Sequence, residues 1–330
     1  MKILITGGAG YIGSLLTGVL LRKGYHVTVV DDLLFGGDSL LAYITHPEFR
    51  FFKANVTEKE AIRPYLKDID HVIHLAAIVG FPACQQLGPE VSWLYNFQGT
   101  KNVYELACES GVKRFVFAST YSNYGIAEGD APVTEESPLN PQSIYAETKI
   151  AAEKFLLEEG KKSATIPVLF RFATLFGLSP RTRFDLIINQ FVLEAIEKRN
   201  LIVYQRNFYR SFVHIRDIAK ALTMAVELDI ARVGNQVFNV GSNRGNYTKD
   251  DLIELILKHV PGVSITYKDL RFGGDMRDIK VSFDKIERVL GYRAEVSVEE
   301  GIRELAEAIQ TKFLFDPHSL RNRNAQFIVQ

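Results

Sequence analysis

Lys2-Ile3-Leu4-Ile5-Thr6-Gly7-Gly8-Ala9-Gly10-Tyr11-Ile12-Gly13 is a short apolar run that stops on a glycine-rich turn. A stretch with helical spacing follows, and a second apolar run, Val27-Thr28-Val29-Val30, ends on Asp31-Asp32. The order strand, glycine turn, helix, strand, acid predicts a βαβ unit that holds a dinucleotide. Glycines let the backbone approach a pyrophosphate, and a helix N-terminus offers unpaired N–H donors and the positive end of its dipole. Gly7, Gly10, Tyr11, Ile12 and Gly13 are the candidates for that turn. A carboxylate at the end of the second strand accepts hydrogen bonds from a ribose diol and repels a 2′-phosphate, so Asp31, with Asp32 beside it, favours NAD over NADP.

The rest of the chain is consistent with a soluble α/β protein. Its 330 residues are 47% hydrophobic and 24% charged, and the formal net charge is +0. That length suits a large α/β domain with a smaller second one. A neutral chain carries no field for nucleic acid. No run is long or apolar enough to span a bilayer, so no membrane partner is expected. The N-terminus enters a strand directly, so no signal peptide is expected. Cys84 and Cys108 are the only cysteines. A disulfide framework is therefore not expected, and the expected compartment is the reducing cytoplasm. No metal is expected.

Further apolar runs follow at 49–53, 71–75 and 115–118, each rich in Val, Ile or Phe. Between them lie segments with helical spacing at 59–66, 93–110 and 145–160. Alternation of β and α predicts a doubly wound parallel sheet of Rossmann type, with ligands beyond the carboxyl ends of its strands. The pattern loosens after Arg171. A loop is read at 178–183, helices at 185–199, 217–228 and 298–313, and strands at 212–215 and 238–241. Thr248 reads as the N-cap of a helix to 259, with Asp251 completing a capping box in place of the usual Glu. The expected division is an NAD-binding domain at 1–175, to which 210–241 returns. A smaller C-terminal α/β substrate-binding domain takes 176–209 and 242–330. The tail from Asp316 is polar and reads either as mobile or as wrapping a neighbour.

Ser143-Ile144-Tyr145-Ala146-Glu147-Thr148-Lys149 opens a helix after a proline-marked turn. Tyr145 and Lys149 are four apart and share a face. A free tyrosine titrates near about 10 and is a poor base at neutral pH. A neighbouring ammonium, with a cationic nicotinamide ring, stabilises the phenolate and lowers that value. Tyr145 can then take a proton from a sugar hydroxyl as a hydride leaves the same carbon. Hydroxyls in Ala118-Ser119-Thr120-Tyr121-Ser122-Asn123-Tyr124-Gly125, after the strand at 115–117, stand where they can hold the reacting oxygen.

Glycine turn, hydroxyl cluster and Tyr145-x-x-x-Lys149, in that order, resemble the extended short-chain dehydrogenase/reductase family of nucleotide-sugar epimerases and dehydratases. His74-Leu75-Ala76-Ala77, Asn96 with Gly99-Thr100-Lys101-Asn102, Arg210 to Asp217, and Phe238-Asn239-Val240-Gly241 extend the resemblance to about residue 308. The opening looks like that of UDP-galactose 4-epimerases. Carried over by position, the resemblance makes Thr120 the catalytic hydroxyl, Tyr145 the general base and Lys149 its partner. Lys149 would also donate to the nicotinamide ribose. It places Leu75, Ala76 and Ala77 against the cofactor and Asn55-Val56 on adenine. Tyr121 and Ser122 fall beside the sugar. Arg210, and more weakly Arg271, would hold the diphosphate of a nucleotide-sugar substrate, and Asp275 the nucleoside ribose. A homodimer through 93–110 and 145–160 is implied.

The family's reactions start with oxidation at C4 of a nucleotide-diphosphate sugar by NAD. A 4,6-dehydratase carries an Asp-Glu pair after its catalytic Thr, and Tyr121-Ser122 stands there instead. Ser122 is also a poor proton carrier for a 3,5-epimerase. A 4-epimerase needs no further acid or base, and neither does a 4-dehydrogenase, which must regain NAD through a second substrate. The segment 76–84 looks less like the galactose epimerases. It is more similar to a bacterial branch acting on surface-polysaccharide sugars, including GDP-heptose 4-dehydrogenases. The expectation is C4 oxidation with epimerisation, the 4-dehydrogenase next. A non-catalytic NAD-binding regulator and an NADPH-dependent carbonyl reductase remain as readings from other classes.

Overall fold

The computed structural model describes residues 1–126, 129–268, 278–314 and 316–325. The first half alternates strand and helix: β1 (Lys2–Thr6), α1 (Tyr11–Arg22), β2 (His26–Asp31), β3 (Phe49–Lys53), α2 (Lys59–Ile62), β4 (His71–His74), α3 (Phe81–Trp93), α4 (Gly99–Glu109), β5 (Arg114–Thr120), α5 (Ile144–Gly160) and β6 (Ile166–Phe172). Among the described residues, seven strands form a parallel sheet in the order β10-β6-β5-β4-β1-β2-β3, where β10 is Gln236–Val240. This is the doubly wound Rossmann-type sheet that the alternation predicts. The central strands β1, β4 and β5 are buried almost throughout, as strands covered by helices on both faces must be. The chain reverses its winding between β1 and β4, and a cleft opens beyond their carboxyl ends.

The second half places β7 (Thr174–Phe176), α6 (Ile187–Glu197), β8 (Asn200–Tyr204), β9 (Tyr209–His214), α7 (Ile215–Glu227), α8 (Ile230–Val233), β11 (Asn246–Thr248), α9 (Lys249–His259), β12 (Ser264–Lys268), α10 (Asp284–Leu290) and α11 (Val298–Gln310). β11-β9-β7 form one small sheet and β12-β8 another. Their helices enclose a second core around Phe176, Phe184, Phe191, Phe212 and Leu305. Within 210–241, β10 joins the large sheet, whereas β9 pairs with β7 and β11 in the small one. Thr248 caps α9 in a full capping box with Asp251, because that motif is satisfied within one turn of chain.

Two helices differ from the sequence reading. The segment read as one helix over 93–110 is the end of a longer path. α3 starts at Phe81, breaks at Gly88 (φ 84°) and Pro89, and runs through a wide π turn at Leu94–Gln98 into α4. The segment read over 59–66 is one α turn followed by a 3-10 turn carrying Pro64, which has no N–H for an α-helical bond. No helix among the described residues is long and apolar enough to cross a membrane.

Candidate active site

Gly7 leaves β1 with φ 71°, a conformation that favours glycine. A Cβ there would lie 2.6 Å from the Ala76 nitrogen, and one on Gly13 would lie 2.5 Å from the Gly7 carbonyl oxygen. The turn is therefore packed against β4 and against itself with no room for side chains. Gly10 is the N-cap of α1; no side chain caps this end and no acid stands in the first turn. The bare N-terminus faces the cleft, which Gly7, Gly10, Tyr11, Ile12 and Gly13 line. An anionic diphosphate fits such an end.

At the far side, Asp31 lines the cleft and accepts the Leu33 N–H at 2.8 Å and the Ala9 N–H at 3.0 Å. Burial raises its pKa above the usual carboxylate value, and the two backbone donors oppose that rise. Asp32 and Val56 also line the cleft, as do Leu75, Ala76 and Ala77. Asn55 does not. Its Oδ1 accepts both the backbone N–H and the hydroxyl of Thr57 at 2.9 Å, and its Nδ2 donates to Tyr95 Oη at 2.8 Å. The Asn55 amide oxygen, which the resemblance placed on adenine, is thus already used within the chain. Asn55 instead holds Tyr95, which does line the cleft.

The Asn96 motif proves to be scaffolding for this wall. Asn96 brackets Ile78, accepting its N–H at 2.8 Å and donating to its carbonyl at 3.0 Å, and reaches Thr148 on α5. Asn102 donates to the carbonyls of Val56 and Thr57. His74 lies between the hydroxyls of Thr6 and Thr100, and burial pushes its pKa down to about 3, so it stays neutral.

Thr120, Tyr121, Ser122, Tyr145 and Lys149 share the other end of the same cleft. Ser143 caps α5 by accepting the Ala146 N–H, which sets Tyr145 in the first turn. Lys149 is buried one turn on. Its Nζ donates to the Ala118 carbonyl at 2.9 Å and lies 4.7 Å from the Phe117 ring centroid. Burial pushes its pKa down to about 8. Thr120 Oγ1 accepts the Ser122 N–H at 3.1 Å and donates to Ser122 Oγ at 3.0 Å, and Tyr121 Oη pairs with Thr174 Oγ1 at 2.8 Å. Arg210 lies buried on β9, its Nη1 donating to the Tyr209 carbonyl, and is not among the residues lining this cleft. Arg271 and Asp275 lie outside the described residues.

Two groups that sequence reasoning passed over complete the site. Glu153, one further turn along the Tyr145–Lys149 face, forms a buried ion pair with Arg171 at 2.6 Å and accepts from Ser119 and Asn123. It thereby fixes the end of β5 that carries Thr120 and the turn that follows it. The spacing 145, 149, 153 was a readable signal for it. Arg181 and Arg183, in a stretch read only as loop, both line the cleft. Burial disfavours the Arg183 charge, but pairing with Asp185 at 2.7 Å outweighs it and the pKa is raised. Burial pushes Arg181 down to about 10. Only their position over the cleft marks these arginines out.

The chain matches the NAD dependent epimerase/dehydratase family over residues 3–241. It is 28% identical over 324 residues to the UDP-glucose 4-epimerase of Bacillus subtilis, covering 91% of this chain and 94% of that one. Among solved structures it resembles UDP-glucuronic acid 4-epimerase from Bacillus cereus, in complex with UDP-glucuronic acid and NAD. The TM-score is 0.85 and the identity 26%, covering 94% of this chain and 100% of that one. It also resembles the dTDP-glucose 4,6-dehydratase of Streptomyces venezuelae, with NAD bound. Here the TM-score is 0.84 and the identity 26%, covering 96% of this chain and 99% of that one.

Proposed function

The chain belongs to the NAD dependent epimerase/dehydratase family of extended short-chain dehydrogenase/reductases, and from that premise we propose that it oxidises C4 of a nucleotide-diphosphate sugar and returns it with inverted configuration. The reading rests on one observation: the glycine turn, Asp31, Thr120, Tyr145 and Lys149 all line a single cleft. NAD, when bound, supplies the hydride acceptor. Tyr145 takes the proton of the C4 hydroxyl and later gives it back. Lys149 stabilises the phenolate through its charge, and Thr120 holds the C4 oxygen beside the phenol. Asp31 holds the adenosine ribose and the α1 N-terminus the diphosphate of the coenzyme. Arg210 stays assigned to the diphosphate of the substrate, with Arg181 and Arg183 as cations nearer the described cleft.

Elimination across C5 and C6 calls for an acid and a base beyond Tyr145. Among the described residues lining the cleft, the carboxylates are Asp31 and Asp32, both at the end of β2. Tyr121 and Ser122 supply none beside Thr120. Inversion at C4 needs none, because the keto sugar only has to turn its other face. The closing test is incubation with a panel of UDP-, GDP- and dTDP-sugars, read by mass spectrometry together with absorbance of reduced coenzyme. An isomer of unchanged mass is expected. A loss of about 2 Da with reduced coenzyme accumulating would make the enzyme a 4-dehydrogenase, and a loss of about 18 Da a dehydratase.

A homodimer is part of the same proposal. Leu87, Trp93 and Leu94 are 46%, 39% and 45% exposed, next to the face of α5. Light scattering at micromolar protein reports the assembly directly, and a monomer would remove this part.

A further inference from the structure

We infer that the C-terminal segment 316–325 is a strap over the coenzyme end of the cleft, and that it sets the rate at which NAD leaves. This rests on the reading of the cleft as an NAD site. The segment touches both walls. Arg321 pairs with Asp38, on the loop that follows β2 and its ribose acid. Four residues later, which is at most about 14 Å of chain, Ala325 is buried in a cluster with Ile78, Cys84 and Tyr145 at the reactive end. Between these points Asn324 itself lines the cleft.

The opposite wall is built to receive the strap. Arg181 Nε donates to the Arg321 carbonyl at 2.8 Å, and its Nη2 donates to Asn324 Oδ1 at 2.8 Å. The same guanidinium lies 3.9 Å from the centroid of Phe35, which comes from the β2 side. Asp185, already fixed by Arg183, accepts the Asn324 N–H at 3.1 Å, and the Phe184 N–H donates to the Asn322 carbonyl at 2.8 Å. Backbone groups of the strap are thus satisfied by the Arg181 and Asp185 side chains and by the Phe184 N–H. A segment merely lying on the surface would pair with water instead. Coenzyme placed between Asp31 and Tyr145 runs beneath this crossing, so release requires the strap to lift. Opening of such elements commonly limits ligand exchange.

The consequence is for the chemistry. If the coenzyme stays through the cycle, the two electrons taken from C4 as hydride return to the same sugar, and the proton held by Tyr145 returns to the same oxygen. No second oxidant is then needed.

The test uses the full chain without sugar. NAD-loaded protein is diluted into excess labelled NAD, and release is followed by filter retention for the natural chain, Arg321→Asp and Asn324→Ala. Circular dichroism checks that each variant is folded. Both variants are expected to release NAD at least about tenfold faster, equivalent to about 1.4 kcal/mol of holding. Hydrogen exchange on the unaltered chain gives a second measurement that needs no variant. Added NAD should slow exchange at the amides of Asn322 and Asn324. Wild-type release rates in both folded variants, or amide exchange in 319–325 indifferent to NAD, would overturn the strap. Failure of the C4 reading shows separately, in the mass of the sugar product, and leaves the release rates as they are.

Discussion

Lys149 offers a measurement in which the candidate site reports on itself through stability. It is 3% exposed, and burial lowers its pKa from 10.5 to about 8. The unfolded chain keeps the proton up to about pH 10.5, whereas the folded chain gives it up near pH 8. Stability rises with pH wherever the unfolded state binds more protons. The buried ammonium therefore costs stability in full below pH 8, and the cost is relieved between pH 8 and about 10.5. At about 1.4 kcal/mol per pKa unit the whole cost is about 3 kcal/mol, of which about 2.5 is relieved between about pH 7 and 10. Lys149→Met keeps most of the side-chain volume and removes the titration. Urea unfolding of both proteins at about pH 7, 8, 9 and 10 gives their stabilities by linear extrapolation. The wild-type value minus the Met value should climb by about 2.5 kcal/mol across that range, while turnover in the Met variant is lost. Constant contributions, such as the lost bond to the Ala118 carbonyl, shift the difference without changing its slope. A difference flat in pH would refute the claim that this amine is desolvated, and with it the source of its leverage on Tyr145.

Tyr145→Phe should reduce sugar oxidation by at least about a thousandfold, since the proposal gives Tyr145 the C4 proton. NAD affinity should be unchanged in equilibrium titration. Gly13→Ala puts a methyl 2.5 Å from the Gly7 carbonyl oxygen; NAD binding should weaken by at least about tenfold, measured by calorimetry. Asp31→Ser removes the charge that opposes a 2′-phosphate, so the ratio of NAD to NADP affinity should fall by at least about tenfold. Glu153→Ala strands the Arg171 guanidinium, which is 5% exposed as a residue; denaturant unfolding should show a loss of about 3–5 kcal/mol.

What could be read in advance was whatever the chain settles over a few neighbours. The turn at Gly7–Gly13 is dictated by local crowding, and the Thr248–Asp251 capping box closes within one turn. Tyr145 and Lys149 share a face through helical spacing alone. The path at 81–98 was harder, because Gly88, Pro89 and a π turn interrupt the periodicity that marks a helix. Asn55 shows a different limit. Its residue type suited an adenine contact, but Thr57, two residues away, takes the acceptor. The sequence supplied both residues and could not say which partner the amide would choose.

Taken by itself, the order of residues determined a Rossmann-type sheet, a crowded glycine turn after its first strand, and a tyrosine and a lysine on one helix face, since periodicity and steric exclusion act along the chain. Tertiary structure alone decided that Glu153 meets Arg171, that Arg181 and Arg183 overlook the cleft, and that Asn324 lies in its wall. Glu153 is 18 residues from Arg171, and Arg181 is 143 from Asn324. Their meeting depends on how strands and loops stack in space, and side-chain spacing carries no record of that.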